Sequence, residues 1–168
     1  MEYDKVIRLR TATRKFSEKE VDKELINKIL EAGNLAPTAK NNQPQKIYVV
    51  TSLDGLKKID EVSLCRYNAP CVFIVCSDKD IAFKKGDYST YEMDATIVAT
   101  HMMLEATNLG VDNIWVEMFD NKKLKEVFNL SENIEPIMLL PIGYKSSDYQ
   151  CNPLHNIRKD LSEIVEYI

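Results

Sequence analysis

"YEMDATIVATHMMLEATNLG", Tyr91 to Gly110, decides the architecture of this chain. From Ala95 to Leu109 its one formal charge is Glu105. A helix that is apolar nearly all round is buried in a protein interior or in a subunit interface. The segment therefore predicts a long central helix, closed by Gly110, which can take the left-handed conformation found just past helix ends. The flanking stretches have a different pattern. "APCVFIVCS", residues 69–77, and "EPIMLLPIGYK", residues 135–145, are continuous apolar runs and read as strands buried on both faces. "QKIYVVTS", residues 45–52, is rich in β-branched and aromatic side chains and reads as a further strand. "VDNIWVEMF", residues 111–119, reads as a short strand running into a loop.

Helices fill the intervals. Residues 3–9 predict a short opening helix. In the next, Leu25, Ile26, Ile29 and Leu30 recur at helical spacing, Asp22 is placed as the N-cap, and Gly33 to Pro37 end it. Residues 53–61 and 121–129 predict two further helices, and "IRKDLSEIVEYI", residues 157–168, a last one. Such alternation gives an α/β or α+β layered domain with helices covering a sheet. The 168 residues suit a single domain spanning 1–168. The apolarity of the central helix predicts that another subunit helps to bury it.

The 26 acidic and 22 basic side chains give a net charge of −4, which argues against a nucleic-acid partner. No apolar run approaches the ~20 residues that span a bilayer, and no secretory signal is visible. The expected setting is cytoplasmic, with Cys65, Cys71, Cys76 and Cys151 reduced. No two of these are spaced C-x-x-C, so no metal site is expected. Cys71 and Cys76, inside an apolar run, read as buried inert thiols. The five glycines build neither a dinucleotide fingerprint nor a P-loop. His101 reads as a satisfied core or interface histidine, and His155 as a surface residue within possible reach of an anion.

Four segments remain that carry chemistry. "RTATRKF", Arg10 to Phe16, places two guanidinium groups around hydroxyls in an acidic chain, a pattern suited to a compact anion such as a phosphate. "APTAKNNQP", Ala36 to Pro44, is a turn-forming run in which Asn41, Asn42 and Gln43 could read the edge of a heteroaromatic ring. "WVEMF", Trp115 to Phe119, breaks an apolar strand beside a charge. Arg158 opens the last predicted helix. Each segment alone has an ordinary structural reading.

In combination and in this order, they resemble the FMN-dependent nitroreductase family over nearly the whole chain. The resemblance rests on Arg10-Thr11-Ala12-Thr13-Arg14-Lys15-Phe16 and on Ala36-Pro37-Thr38-Ala39-Lys40-Asn41-Asn42-Gln43-Pro44. It continues through Ala69-Pro70, Asp94 opening the long helix, Leu109-Gly110, Trp115-Val116, Gly143-Tyr144 and the segment Arg158 to Val165. It implies an α+β fold in which a central mixed, mostly antiparallel sheet is flanked by helices, with the long helix at a dimer interface. It also implies a homodimer that holds FMN in a cleft between subunits. By the same resemblance Arg10, Thr11 and the Ala12 N–H would hold the FMN phosphate, with Arg158 as a second cation. Arg14 would lie toward the pyrimidine edge, where a cation stabilises charge placed on the ring by reduction. Pro37, Thr38 and Asn41 would come from the other subunit and cover the ring. Glu117 and Met118 would present backbone groups near N5.

The implied activity is ping-pong transfer of a hydride from NADH or NADPH, through flavin N5, to a nitroaromatic, quinone or similar small-molecule acceptor. No catalytic side chain is required, because the flavin carries the chemistry. A flavin-binding storage or redox-sensing protein with little turnover is the alternative. The chain departs from the family's pattern at Ala12, where serine is usual, at Gln45, where an aromatic is common, and at Met118, where glycine is frequent. Asn156 stands where a second basic residue sometimes appears. Arg66 is the one candidate for a second cation near the ring.

Overall fold

The computed structural model describes all 168 residues. Five α-helices are formed: α1 Tyr3–Leu9, α2 Lys23–Asn34, α3 Leu53–Val62, α4 Tyr91–Asn108 and α5 Asn121–Val127. The strands are β1 Gln45–Val50, β2 Cys71–Asp78, β3 Lys84–Lys85, β4 Tyr88–Ser89, β5 Asp112–Asn113 and β6 Ile134–Gly143. The main sheet has the order β1-β2-β6-β5, with every neighbour antiparallel, and β3 and β4 form a separate two-stranded ribbon. A single bridge, Ala12 to Asn113, is parallel. It lays the Arg10–Phe16 segment alongside β5 and makes the pairing mixed.

Strand β2 explains why the sheet is apolar on both sides. Cys71, Phe73 and Val75 face one core with Ile26 and Ile29 of α2, Ala95, Val98, Ala99, Met102 and Ala106 of α4, and Leu140 of β6. Val72, Ile74 and Cys76 face the other with Leu56, Ile59 and Val62 of α3, Leu124 of α5 and Leu139 of β6. Alternate side chains of a strand point to opposite faces, so a strand covered on both must be apolar throughout. The register pairs Phe73 with Leu140 and slips by one residue between Val75 and Cys76. That bulge falls next to Pro136, which has no N–H to give to a ladder.

One local expectation holds in position only, and one is corrected. Asp22 occupies the N-cap of α2 but makes no side-chain capping bond. The segment 157–168 is not a helix: it contains one 3-10 turn, Leu161–Glu163, started by a capping box between Asp160 and Glu163. Ile157, Leu161, Ile164 and Val165 are all exposed. A segment of that length has marginal helicity unless an apolar face is buried, and no surface of this chain faces it. Arg158 therefore lies in irregular backbone. Helix α4 is buried on one face only; His101 is exposed, with its ring nitrogen 2.9 Å from the Ile97 carbonyl of the preceding turn. No helix is long and apolar enough to cross a membrane.

Candidate functional site

The segment from Arg10 to Phe16 is fastened along its length. Thr13 N–H donates to the Asn113 carbonyl at 3.0 Å, and Phe16 N–H to the Tyr67 carbonyl at 3.1 Å. Ser17 N–H donates to the Tyr144 carbonyl at 2.8 Å. Phe16 is buried in the α3 core, and the Tyr149 hydroxyl donates to the Ala12 carbonyl at 3.0 Å. The residues between these anchors present outward what the chain itself does not use. Thr11 and Ala12 have N–H groups with no partner.

A cleft of about 270 Å³ opens beside them, lined by Arg10, Ala12, Arg14, Cys151, Asn152, Leu154, His155 and Arg158. None of the three arginines takes part in the seven ion pairs of the chain. Burial, and after it the charge of Arg158, pulls the Arg10 guanidinium below its ordinary value. Arg158 spends donors on the His155 and Ile157 carbonyls, each at 2.6 Å. Arg14 adjoins Tyr67, whose phenol is raised chiefly by its hydrogen bond with Cys65 and next by burial, with Arg14 opposing. Cations gathered in a partly buried cleft without a carboxylate form a site short of one negative partner.

A second cleft, of about 410 Å³, is lined by Asp60 to Leu64 and by Glu117 to Asp120. Val116 is bonded both ways to Leu139, at 3.0 and 2.9 Å, and the chain then leaves the sheet. The N–H groups of Glu117 and Met118 have no partner, and the Met118 side chain is exposed. The Glu117 carboxylate accepts the Trp115 indole N–H at 2.7 Å. Arg66 is held elsewhere. It makes a forked pair with Asp60, both bonds 2.7 Å, and donates to the Ala69 carbonyl at 2.9 Å. Arg66 is thereby neutralised.

Residues 7–68 and 66–144 match the Nitroreductase family. The chain belongs to the nitroreductase family. It is 35% identical to a crystal structure of a nitroreductase family protein from Clostridium difficile 630, with a TM-score of 0.93 over 99% of this chain and 98% of that one. A provisionally named NADH dehydrogenase/NAD(P)H nitroreductase of Archaeoglobus fulgidus is 30% identical over 151 residues, 86% of each chain. One of the same provisional name from Methanothermobacter thermautotrophicus is 28% identical over 155 residues, 88% of this chain and 80% of its own length. Nitroreductases are oxidoreductases.

The nitroreductase chain brings Arg10, Thr11, Ala12, Arg14 and Arg158 to one cleft and its neighbouring backbone, and Glu117 and Met118 to the other. It does not bring Pro37, Thr38 and Asn41 to either. Their loop lies at the start of α4, where Asp94 accepts the Ala39 N–H at 2.9 Å and the Thr90 hydroxyl at 2.7 Å. Thr38 Oγ1 accepts the Gln43 N–H at 3.0 Å. Asn42 donates to the Ile81 carbonyl at 2.9 Å, so one of its amide hydrogens is used by the loop. Lys40, Asn41 and Gln43 all have φ between 52° and 55°, a conformation that costs non-glycine residues about 1 kcal/mol or more each. Sequence reasoning missed Cys151, Asn152 and Leu154 as lining residues, and Ser63 behind Met118. A polar residue in the tail or in a turn gives no sign of what it faces.

Proposed function

We propose that this nitroreductase is an FMN-dependent NAD(P)H oxidoreductase acting on nitroaromatic, quinone or similar electron-poor acceptors, and that it works as a homodimer. The observation that carries the reading is the meeting of Arg10, Arg14 and Arg158, without a carboxylate, beside the free N–H groups of Thr11 and Ala12. A phosphate monoester supplies the missing charge and the acceptors for those donors. The fit extends to the second cleft, where the unpartnered amides of Glu117 and Met118 suit the edge of a ring that accepts hydrogen bonds.

FMN held at this site would supply the redox chemistry of hydride transfer between NADH or NADPH and the acceptor. Arg10, Thr11, Ala12 and Arg158 anchor the phosphate. Arg14 would lie toward the pyrimidine edge, where its charge would favour electron density on the ring. Glu117 and Met118 would offer main-chain donors at N5. Pro37, Thr38 and Asn41 would reach the ring from the partner subunit. Support for two copies comes from Tyr3, Ile7, Met93, Leu161 and Ile164, large apolar side chains that one chain leaves exposed. The relatives' names support the nicotinamide donor.

Anaerobic titration of purified protein with NADH and with NADPH, followed by a panel of acceptors, tests the reading. A yellow protein should bleach within seconds and regain its colour on adding a nitroaromatic or a quinone. Tight FMN that neither nucleotide reduces would favour storage or sensing. A colourless protein that takes up no added FMN refutes flavin binding, and a stable particle of 19.3 kDa refutes the dimer.

A further inference from the structure

We propose that Ser63 is a positioning residue for the N5 edge, acting through the Met118 peptide. Ser63 is buried. Its hydroxyl donates to the Met118 carbonyl at 2.7 Å and accepts the Cys65 N–H at 3.1 Å. The peptide joining Met118 to Phe119 is thus held at both ends, because the Phe119 N–H donates to the Glu117 carbonyl at 3.1 Å. A trans peptide points its C=O and N–H in opposite directions. With the Glu117 carbonyl turned toward Phe119, the Met118 N–H is turned away from that bond and stays unpartnered. Apart from Ser63, the loop is tied across the cleft by Asp120 N–H on the Val62 carbonyl, at 2.9 Å. That tie lies beyond the Met118 peptide and does not fix its plane. Met118 is 77% exposed, so its own side chain supplies no packing to do so. The Ser63 hydroxyl is therefore the one side-chain hydrogen bond on this peptide, acting beside the main-chain bond from Phe119 N–H.

The inference rests on the flavin reading and adds a residue that does not touch the ring. A main-chain donor held at N5 favours the oxidised ring, where N5 accepts a hydrogen bond, over the reduced ring, where N5 carries hydrogen. Loss of the hold should raise the midpoint potential of bound flavin; it should also loosen the alignment of the N5 edge, which outweighs the larger driving force and slows reduction. Ser63→Ala and Ser63→Thr would be compared with wild type in FMN affinity, in midpoint potential by anaerobic dye equilibration, and in stopped-flow reduction by NADH. Ser63→Ala should bind FMN within about threefold of wild type, since the phosphate cradle is untouched. It should show a higher potential and about tenfold slower reduction, the scale of lost alignment. Ser63→Thr, which keeps the hydroxyl, should restore both. If Ser63→Ala fails to fold, Ser63→Cys, with its weaker donor, should shift potential and rate the same way by less. Variants that bind FMN with wild-type potential and wild-type reduction rate overturn the role of Ser63 and leave the flavin reading intact. A wild-type chain that takes no FMN overturns both.

Discussion

Asp94 Oδ1 accepts the Ala39 N–H at 2.9 Å, joining the first turn of the central helix to a loop 55 residues earlier. The carboxylate is 2% exposed, and its other oxygen takes the Thr90 hydroxyl. One acidic residue thus opens α4, where a negative charge complements the helix dipole, and fixes the loop carrying Pro37, Thr38 and Asn41. In Asp94→Ala the Ala39 N–H and the Thr90 hydroxyl lose their acceptor. The expected cost is about 3–6 kcal/mol, two partners at the scale of a charged hydrogen bond, read from urea unfolding. The loop residues at positive φ should be released as well, so amide exchange at Ala39 to Gln43 should accelerate beyond the change in global stability. Wild-type exchange in that loop would show that Asp94 does not hold it.

Arg10 and Arg158 repel each other in the chain without ligand and would share one phosphate in its presence. The two roles give opposite signs when either is removed. Arg10→Ala should weaken FMN binding by about 1.5–3 kcal/mol, roughly ten- to a hundredfold in Kd. The cofactor-free protein should be no less stable than wild type, because a half-buried charge without a partner has been deleted. Arg158→Ala should weaken binding by less, since that residue is exposed and already shares its donors with two carbonyls. Fluorescence titration of FMN, paired with thermal unfolding of the apoprotein, separates the effects. Unchanged FMN affinity in Arg10→Ala would remove it from the site.

The sequence displayed what period and charge encode. The two-sided apolarity of 71–76 placed β2 between layers, and the arginines spaced four apart in an acidic chain prove to line one cleft. What it concealed depended on contacts made far along the chain or outside it. Segment 157–168 reads as a last helix, but the sequence carries no information about whether a surface faces it. Arg66 reads as a free cation until Asp60, six residues earlier, is seen to neutralise it. Asn42 has the chemistry to read a ring, yet the turn of its own loop aims it at the Ile81 carbonyl. Ser63 was silent because its partner is a backbone carbonyl, and any residue type at 118 would provide one.

Cys71 and Cys76 sit on opposite faces of β2, and their thiols are pushed up from 9.0 to about 12. Burial is the main cause for both; Cys76 also feels Glu135, opposed by Lys125. Between pH 9 and 12 the unfolded chain releases protons that the folded chain keeps, so stability falls as pH rises through that window. Each thiol contributes a slope of about 1.4 kcal/mol per pH unit at most. Urea midpoints measured from pH 8 to 10.5 should drop steeply in wild type and less steeply in Cys71→Ala. Equal slopes would mean that the buried thiols are not the linked groups. Alkylation at neutral pH should modify exposed Cys151 readily and leave Cys71 and Cys76 unmodified until the chain unfolds.

Gly143, at the end of β6, has no room for a side chain. A Cβ there would lie 2.8 Å from Pro70 Cδ and 3.0 Å from Phe16 Cδ1. Neither neighbour can yield easily: the proline ring is rigid, and Phe16 is a buried member of the α3 core. Phe16 also ends the anchored segment that begins at Arg10, and its N–H is bonded to the Tyr67 carbonyl. Pressure on its ring would be felt by the backbone that presents Thr11 and Ala12. Gly143→Ala should cost about 1–3 kcal/mol, the scale of overpacking, and weaken FMN binding although position 143 lines neither cleft. Phe16→Leu in the same chain removes the ring edge that the new methyl meets. The double variant should therefore recover part of the FMN affinity relative to Gly143→Ala, a coupling visible in a double-mutant cycle. Strictly additive effects would place the strain at Pro70 alone and break the link from β6 through Phe16 to the arginine-lined cleft.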